Sequence, residues 1–187
     1  MILSVLIPTL VERRSQFYNL IKRLKFLARD YPVEILSIED NREKTTGAKR
    51  NELIDMAKGR FSVFIDDDDN VPAYYFDSIF NAIKQNPDTD CIGFKGLGIS
   101  AVNPNNHSIV FRYSVGLPYS RTPINREYTR PPTHINPMLT DYFKQVRFPD
   151  KTISEDFEFC LKLAEMGLVK NQTFLDIVMY HYYYSKK

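Results

Sequence analysis

Residues 60–72, RFSVFIDDDDNVP, set five strand-forming residues (Phe61, Ser62, Val63, Phe64, Ile65) directly ahead of four consecutive aspartates, Asp66 to Asp69. Asn70 and Pro72 then stand where a helix would open. A surface acidic run needs no apolar strand in front of it. Four carboxylates held this close repel one another, and the cost falls only when a divalent cation, protons or solvent offset the charge. The stretch reads as a metal site at the carboxyl end of a buried strand. The alternative is a solvated acidic turn, because aspartate runs occur widely in loops.

The sequence ahead of it gives this strand its setting. Ile2 to Ile7 is a continuous apolar run stopped by Pro8, which suits a strand buried on both faces. Phe17, Leu20, Ile21, Leu24, Leu27 and Ala28 then recur at helical spacing, with basic residues largely on the other side. Val33 to Ile38 makes a second strand ending at Glu39 and Asp40, and NREKTT leads to Gly47 and a helix from Ala48 to about Lys58, with Gly59 as its stop. The first 70 residues therefore read β-α-β-α-β, which predicts parallel strands joined by right-handed crossovers. Ligands collect outside the carboxyl ends of such strands. Pro8 and Thr9, Glu39 and Asp40, and Asp66 to Asp69 would all emerge at that edge, around one nucleotide-type crevice.

Beyond Pro72, placed at a first helical turn, Tyr75, Phe76, Ile79, Phe80 and Ile83 mark a third helix. Asp90 to Lys95 is a strand, and Gly98 to Val102 with Ser108 to Tyr113 forms a β-hairpin around NPNN, with His107 in its exposed turn. Residues 117–136 hold four prolines with Arg121, Arg126 and Arg130, and read as a long irregular loop, a candidate flexible lid or acceptor surface. Asn136 and Pro137 are expected to start a short helix, and Ser154 to cap SEDFEFCLKLAEMG, with Phe157, Leu161 and Ala164 inward and Gly167 at its end. Phe174 to Tyr184 is rich in β-branched and aromatic residues.

With 187 residues, 43% of them hydrophobic and 26% charged, the expectation is one domain with a core and a cleft. Residues 1–95 would form one half, carrying the nucleotide-type crevice, and 96–187 the other. The 25 basic residues nearly balance the 23 acidic ones, so global charge singles out neither nucleic acid nor membrane as a partner. Cys91 and Cys160 lack CxxC spacing, no apolar run approaches the roughly 20 residues of a bilayer span, and MILSVLIPTL has no basic leader. A cytoplasmic protein without an integral membrane segment is expected.

If the strand continues, Asp66 and Asp68 point to the same side, and this D-x-D pair supplies metal and ribose contacts. Asp67 and Asp69 would then hydrogen-bond or cap. A turn beginning at Asp67 would reshuffle these roles. An oxygen-only donor set suits Mg²⁺ or Mn²⁺, with substrate phosphates and water completing the shell.

VLIPTL, Glu39-Asp40, GAKRNELIDMAKGRFSVFIDDDDNVP and ISEDFEFCLKL occur in an order that resembles family 2 glycosyltransferases of the GT-A (Rossmann-like) fold. The similarity spans residues 2 to 72, resumes at 134 to 163, and is weak between. The resemblance implies an α/β domain with a mostly parallel central sheet flanked by helices, and a metal-dependent, inverting transfer from a nucleotide-diphosphate sugar, a UDP-sugar above all. In it Pro8 and Thr9 cradle the nucleoside, Asp40 accepts from a uracil-type base, and Arg50 and Asn51 match an RN pair beside the nucleotide. Lys49 or Arg50 could neutralise diphosphate charge, Asp66 and Asp67 border the donor, and Asp68 matches the metal-binding second aspartate.

Asp156 matches the catalytic base in the ED motif, where the first turn of a helix favours an ionised carboxylate; Glu155 supports the helix start. Ordinary acidic capping would place the same residues there. His181 stands in for a late metal-ligating histidine or simply packs among tyrosines, and His134 could line the acceptor side or touch the diphosphate. The chain departs from the family in lacking tryptophan and a QxxRW-like segment, so single transfer rather than processive synthesis is expected. The acceptor is open: a glycan, a lipid-linked saccharide, a protein or a modified nucleobase. Two other readings stay in view. One is nucleotidyl transfer, although PTLVERR lacks the expected glycine-rich loop. The other is a non-catalytic module in which RTPINREYTRPP and the tyrosine tail grip nucleic acid or glycan.

Overall fold

A computed structural model describes residues 1–100, 108–123 and 127–184. The NPNN turn with His107, Arg126 and the last three residues lie outside the described residues.

Strand β1 (Leu3–Leu10) pairs in parallel with β2 (Val33–Asp40) on one side and β3 (Phe61–Phe64) on the other. The connections are α1 (Arg14–Ala28), after a single 3-10 turn at Val11–Arg13, and α2 (Thr46–Met56). This is the β-α-β-α-β unit read from the sequence. Contrary to expectation, Pro8 does not end β1. The carbonyl of Leu6 accepts from Ile65 N on the β3 side, so by alternation Pro8 faces that same side, where β3 has already finished and no N–H is needed.

The chain continues as α3 (Tyr75–Gln85), β4 (Cys91–Ser100), β5 (Ile109–Tyr113), β6 (Glu127–Arg130), β7 (Met138–Leu139), α4 (Thr140–Val146), α5 (Glu155–Met166) and β8 (Gln172–Tyr184). One mixed sheet runs in the order β2-β1-β3-β7-β4-β5-β6, and β8 pairs in parallel with β4. Strand alternation divides the core between its two faces. Leu3, Val5, Ile7, Phe61 and Val63 pack with α1 and α3. Leu6 and Phe64 pack with α2, α4 and α5, in a cluster whose rings Phe64, Phe143, Phe148 and Phe159 stack or meet edge-on. Burying each such ring contributes about 2–3 kcal/mol.

Several local expectations are corrected by tertiary contacts. Helix α2 starts at Thr46 because Thr45 Oγ1 accepts from Ala48 N at 3.1 Å, and Gly59 is no helix stop. Instead, Gly59 lets the backbone approach β1: an added Cβ would sit 2.6 Å from Ser4 N. Asn136 caps nothing; its side chain accepts from Thr133 N and donates to the Ile92 carbonyl, and α4 begins at Thr140. Pro72 heads a turn, its carbonyl accepting from Tyr75 N where α3 begins. Residues 117–136 are not wholly irregular, since β6 pairs in parallel with β5, with Tyr128 packed on Phe111. The inward stripe of α5 is Phe159, Cys160 and Leu163, while Leu161 is 43% exposed. Glu155 is the reason: it is buried beside Arg50 and fixes the rotation of the helix. No helix among the described residues is long and apolar enough to cross a membrane.

Gly47 carries a stability prediction. Its N–H bonds the Lys151 carbonyl, and an added Cβ would lie 1.9 Å from the Pro149 carbonyl oxygen. Backbone cannot swing aside as a flexible side chain would. Gly47→Ala is therefore expected to lower unfolding stability by about 2–3 kcal/mol, read as an earlier urea midpoint; an unchanged midpoint would refute the close contact.

Candidate active site

The strand stops before the aspartates. β3 ends at Phe64, and Asp66 to Asp69 form a tight turn closed by Asp69 N donating to the Asp66 carbonyl at 3.1 Å. This is the reshuffled arrangement: Asp66 and Asp69, rather than Asp66 and Asp68, line a cavity of about 270 Å³ together with Asp156 and His134. Asp67 turns to the opposite side, buried, where its oxygens accept from Thr9 Oγ1 at 2.7 Å and Arg13 Nη1 at 2.8 Å. Asp68 is half-exposed and accepts from the same Arg13 at 3.1 Å.

Strand β8 holds this turn. Asp66 N donates to the Tyr180 hydroxyl at 3.1 Å, and that hydroxyl donates to Asp69 Oδ2 at 2.8 Å. Asp69 Oδ1 accepts from Tyr183 N, and Asn70 exchanges both backbone bonds with His181. The period of two puts Tyr180 and Tyr182 on the cavity side of β8. His181 is absent from the lining of that cavity, and burial and the Arg23 charge push its pKa down. Among the described residues, no group of three or more His, Cys, Asp or Glu side chains is arranged to hold a metal ion.

A second cavity, about 300 Å³, opens at the ends of β1 and β2 and is lined by Pro8, Arg13, Arg42, Lys44, Lys49, Asp66 and Asp67, among others. Lys49 is buried and donates to Asp40 at 2.6 Å and to the Thr9 carbonyl at 2.8 Å, and Asp40 also accepts from Lys44 N. Burial opposes ionisation of Asp40, but the bonds from Lys49 and the 42–44 backbone hold its carboxyl below the ordinary range. Both Asp40 oxygens are thus occupied in securing the loop that presents Lys44 and Arg42.

Arg50 lies buried beneath the site. It is 3% exposed, donates to Asp66 at 2.8 Å, sits 3.4 Å from Glu155, and lies against the Phe64 and Phe148 rings at 5.0 and 5.5 Å. Asn51 is likewise structural, its amide exchanging two hydrogen bonds with the backbone of Phe148. Burial raises the cost of ionising Asp66, yet the Arg50 charge and His134, whose Nε2 is 3.5 Å away, outweigh it and hold that carboxyl far below its usual range. Burial also pushes Glu155 up, against Arg50. Asp68 is raised by burial and by Asp66 and Asp67, with Arg13 opposing.

Asp69 is pushed up to about 8 by burial and the Asp66 charge, against its bonds from Tyr183 and Tyr180. Between the unfolded value near 4 and about 8 the native state holds a proton that the unfolded chain has lost. Stability therefore falls as pH rises through that window, by at most about 1.4 kcal/mol per pH unit. In EDTA, Asp69→Asn is expected to flatten the decline in melting temperature between pH 5 and 8; parallel profiles for variant and wild type would refute this.

Three non-glycine residues among those described adopt positive φ: Arg42 (66°), Arg147 (55°) and Ser154 (63°). Arg42 lines the second cavity, Arg147 precedes the Phe148 ring on Arg50, and Ser154 precedes the Glu155-Asp156 pair. Strained backbone thus surrounds the site. Among the described residues, Ser154 finds no side-chain capping bond.

The sequence model of glycosyl transferase family 2 matches residues 18–150. The chain belongs to glycosyl transferase family 2. A search of curated proteins finds no match. Among solved structures, this family 2 chain is similar to S. aureus TarS residues 1–349, with a TM-score of 0.66 at 17% identity over 98% of this chain and 60% of that one. The same TarS fragment in complex with UDP-GlcNAc gives 0.65 at 18% identity over 100% and 59%, and in complex with UDP 0.66 at 17% over 99% and 61%. At such identity the likeness establishes the GT-A glycosyltransferase fold. The chain spans about three fifths of the length of these structures.

The reading of single residues from sequence missed Arg13, Tyr180 and Tyr119, which shape the site without belonging to a motif. For Tyr180 a signal existed: YHYYY alternates about His181, so one face of the strand had to carry phenols.

Proposed function

We propose that this chain transfers a sugar from a nucleotide-diphosphate sugar, a UDP-sugar, to an acceptor hydroxyl with inversion, with Asp156 as general base. The observation that carries this reading is that Asp66 lines both cavities, so the basic pocket at the β1–β2 end and the Asp156 cavity meet at one carboxylate. The diphosphate would lie against Arg13 and Lys44, with the nucleoside beside Pro8 and Thr9 and residues 1–95 supplying most of this half. The complexes of TarS with UDP and UDP-GlcNAc support a uridine donor.

Asp156 takes the proton of the acceptor hydroxyl as its oxygen attacks the anomeric carbon from the side opposite the diphosphate. The bond from that carbon to the diphosphate oxygen breaks and its electron pair leaves with the diphosphate. His134 and Glu155 act indirectly, the first on Asp66 and the second on Arg50.

Mn²⁺ or Mg²⁺ fits the donor set. The carboxylates are hard oxygen donors, and Asp68 is half-exposed and ion-paired to Arg13. Asp68 and Asp66 would hold the ion, the substrate phosphates completing its shell. A bound divalent cation supplies charge stabilisation of the departing diphosphate. Two free, buried cysteines, Cys91 and Cys160, accord with a reducing compartment such as the cytoplasm.

Calorimetry with UDP, GDP and CDP, with and without Mn²⁺, tests the reading. UDP should bind best and only with the metal, and Asp68→Ala should weaken that affinity by about tenfold or more. Unchanged Mn²⁺-dependent UDP affinity would remove Asp68 from the metal role, and no nucleotide response at all would favour a binding module.

A further inference from the structure

The Asp156 cavity has two unlike surfaces. Its floor is acidic, with Asp66, Asp69 and Asp156 all reaching it. Its wall is aromatic: Tyr119 from the 117–123 segment meets Phe157 of α5 edge-to-face at 4.8 Å, and Phe111, Tyr113 and Tyr182 continue the lining. Arg130 of β6 fixes this wall, its guanidinium lying 3.8 Å from the Tyr119 ring centre while Nη1 donates to the Ser120 and Thr129 carbonyls.

We infer that the acceptor is a neutral saccharide, one ring of which occupies this cavity against the Tyr119–Phe157 wall with its hydroxyls on the carboxylates. The inference rests on the donor reading above and concerns what receives the sugar. Carboxyl oxygens are hydrogen-bond acceptors, so the floor calls for a ligand rich in O–H donors. A polyol has them. A purely apolar lipid chain would cover these carboxyl groups and offer none of them a hydrogen bond. An acidic acceptor would meet like charge, with Arg130 already engaged on Tyr119. A nucleobase edge mixes donors and acceptors, and the wall rings, set at 78° to one another, offer a corner and not a parallel slot for a flat base.

The C–H faces of a sugar ring, by contrast, carry slight positive charge and pack on the negative faces of aromatic rings. At about 270 Å³ the cavity lies at the small end of ligand sites and suits a single ring.

The experiment supplies UDP-GlcNAc, UDP-glucose and UDP-galactose with Mn²⁺ to tagged acceptors of four kinds: neutral mono- and disaccharides, uronates, nucleosides and peptides. Transfer to a neutral saccharide is expected. Tyr119 is 39% exposed, so Tyr119→Ala spares the core; this variant and Phe157→Ala should each raise acceptor KM about tenfold with UDP affinity unchanged. Transfer confined to uronates, nucleosides or peptides would overturn the inference, as would acceptor KM values within about twofold of wild type in both variants. UDP binding without transfer to any neutral saccharide would overturn this inference alone, whereas absence of UDP binding would overturn the donor reading and this inference with it.

Discussion

Asp156→Asn is expected to lower kcat by about a thousandfold, within the range that loss of a positioned general base costs, while UDP affinity stays at the wild-type value. The separation follows from placement. Asp156 lines the aromatic-walled cavity and is absent from the lining of the basic pocket at the β1–β2 end. Asparagine keeps the shape of the side chain in the first turn of α5 but cannot take a proton, so the helix start should survive. Activity measured at saturating donor and acceptor reads the chemical step, and calorimetry with UDP reads the donor pocket separately. Equal loss of both would mean that the variant has disturbed the aspartate turn and not the base. Turnover within tenfold of wild type would remove Asp156 from the base role.

What the sequence carried, and what it did not, divides along the range of the interactions involved. The continuous apolar run of Ile2 to Ile7 and the strand-forming residues Phe61 to Ile65 are local properties, and they led correctly to buried parallel strands. The convergence of three strand ends on one edge followed from topology alone. The inward face of α5 was misread because helical spacing cannot tell that a charged residue, Glu155, is drawn inside by Arg50 from another helix. The same guanidinium misled the site assignment. An arginine in the GAKRN segment looks like a phosphate ligand by type and position, yet packing against Phe64 and Phe148 keeps it below the floor. Asp69 is the other case: sequence assigned it a hydrogen-bonding or capping role, and only β8, more than a hundred residues later, supplies the Tyr180 and Tyr183 partners that hold it.

Arg50 yields the largest stability effect. Its guanidinium joins Asp66 of the aspartate turn to Glu155 of α5, and two of its nitrogens, Nε and Nη1, have no hydrogen-bond partner among the described residues. A buried cation in such a position persists only because two carboxylates and two aromatic faces compensate its desolvation. Arg50→Met would leave both acids facing an apolar side chain, a loss of about 3–5 kcal/mol. Arg50→Lys should recover only part of it, since an ammonium restores charge but neither the forked geometry nor the ring stacking. The sign of the pH dependence separates this from a simple cavity. Asp66 has its carboxyl depressed in the native state, chiefly by Arg50 against the opposing effect of burial, so its contribution is present above the unfolded value near 4 and disappears as pH falls through the native one. The gap between wild type and Arg50→Met, measured by urea unfolding, should therefore be widest above about pH 5 and narrow towards pH 3 as the stranded acids protonate. A gap that holds constant across that range would assign the loss to packing around Phe64 and Phe148, and the arginine would no longer tie the two sides of the site together through charge.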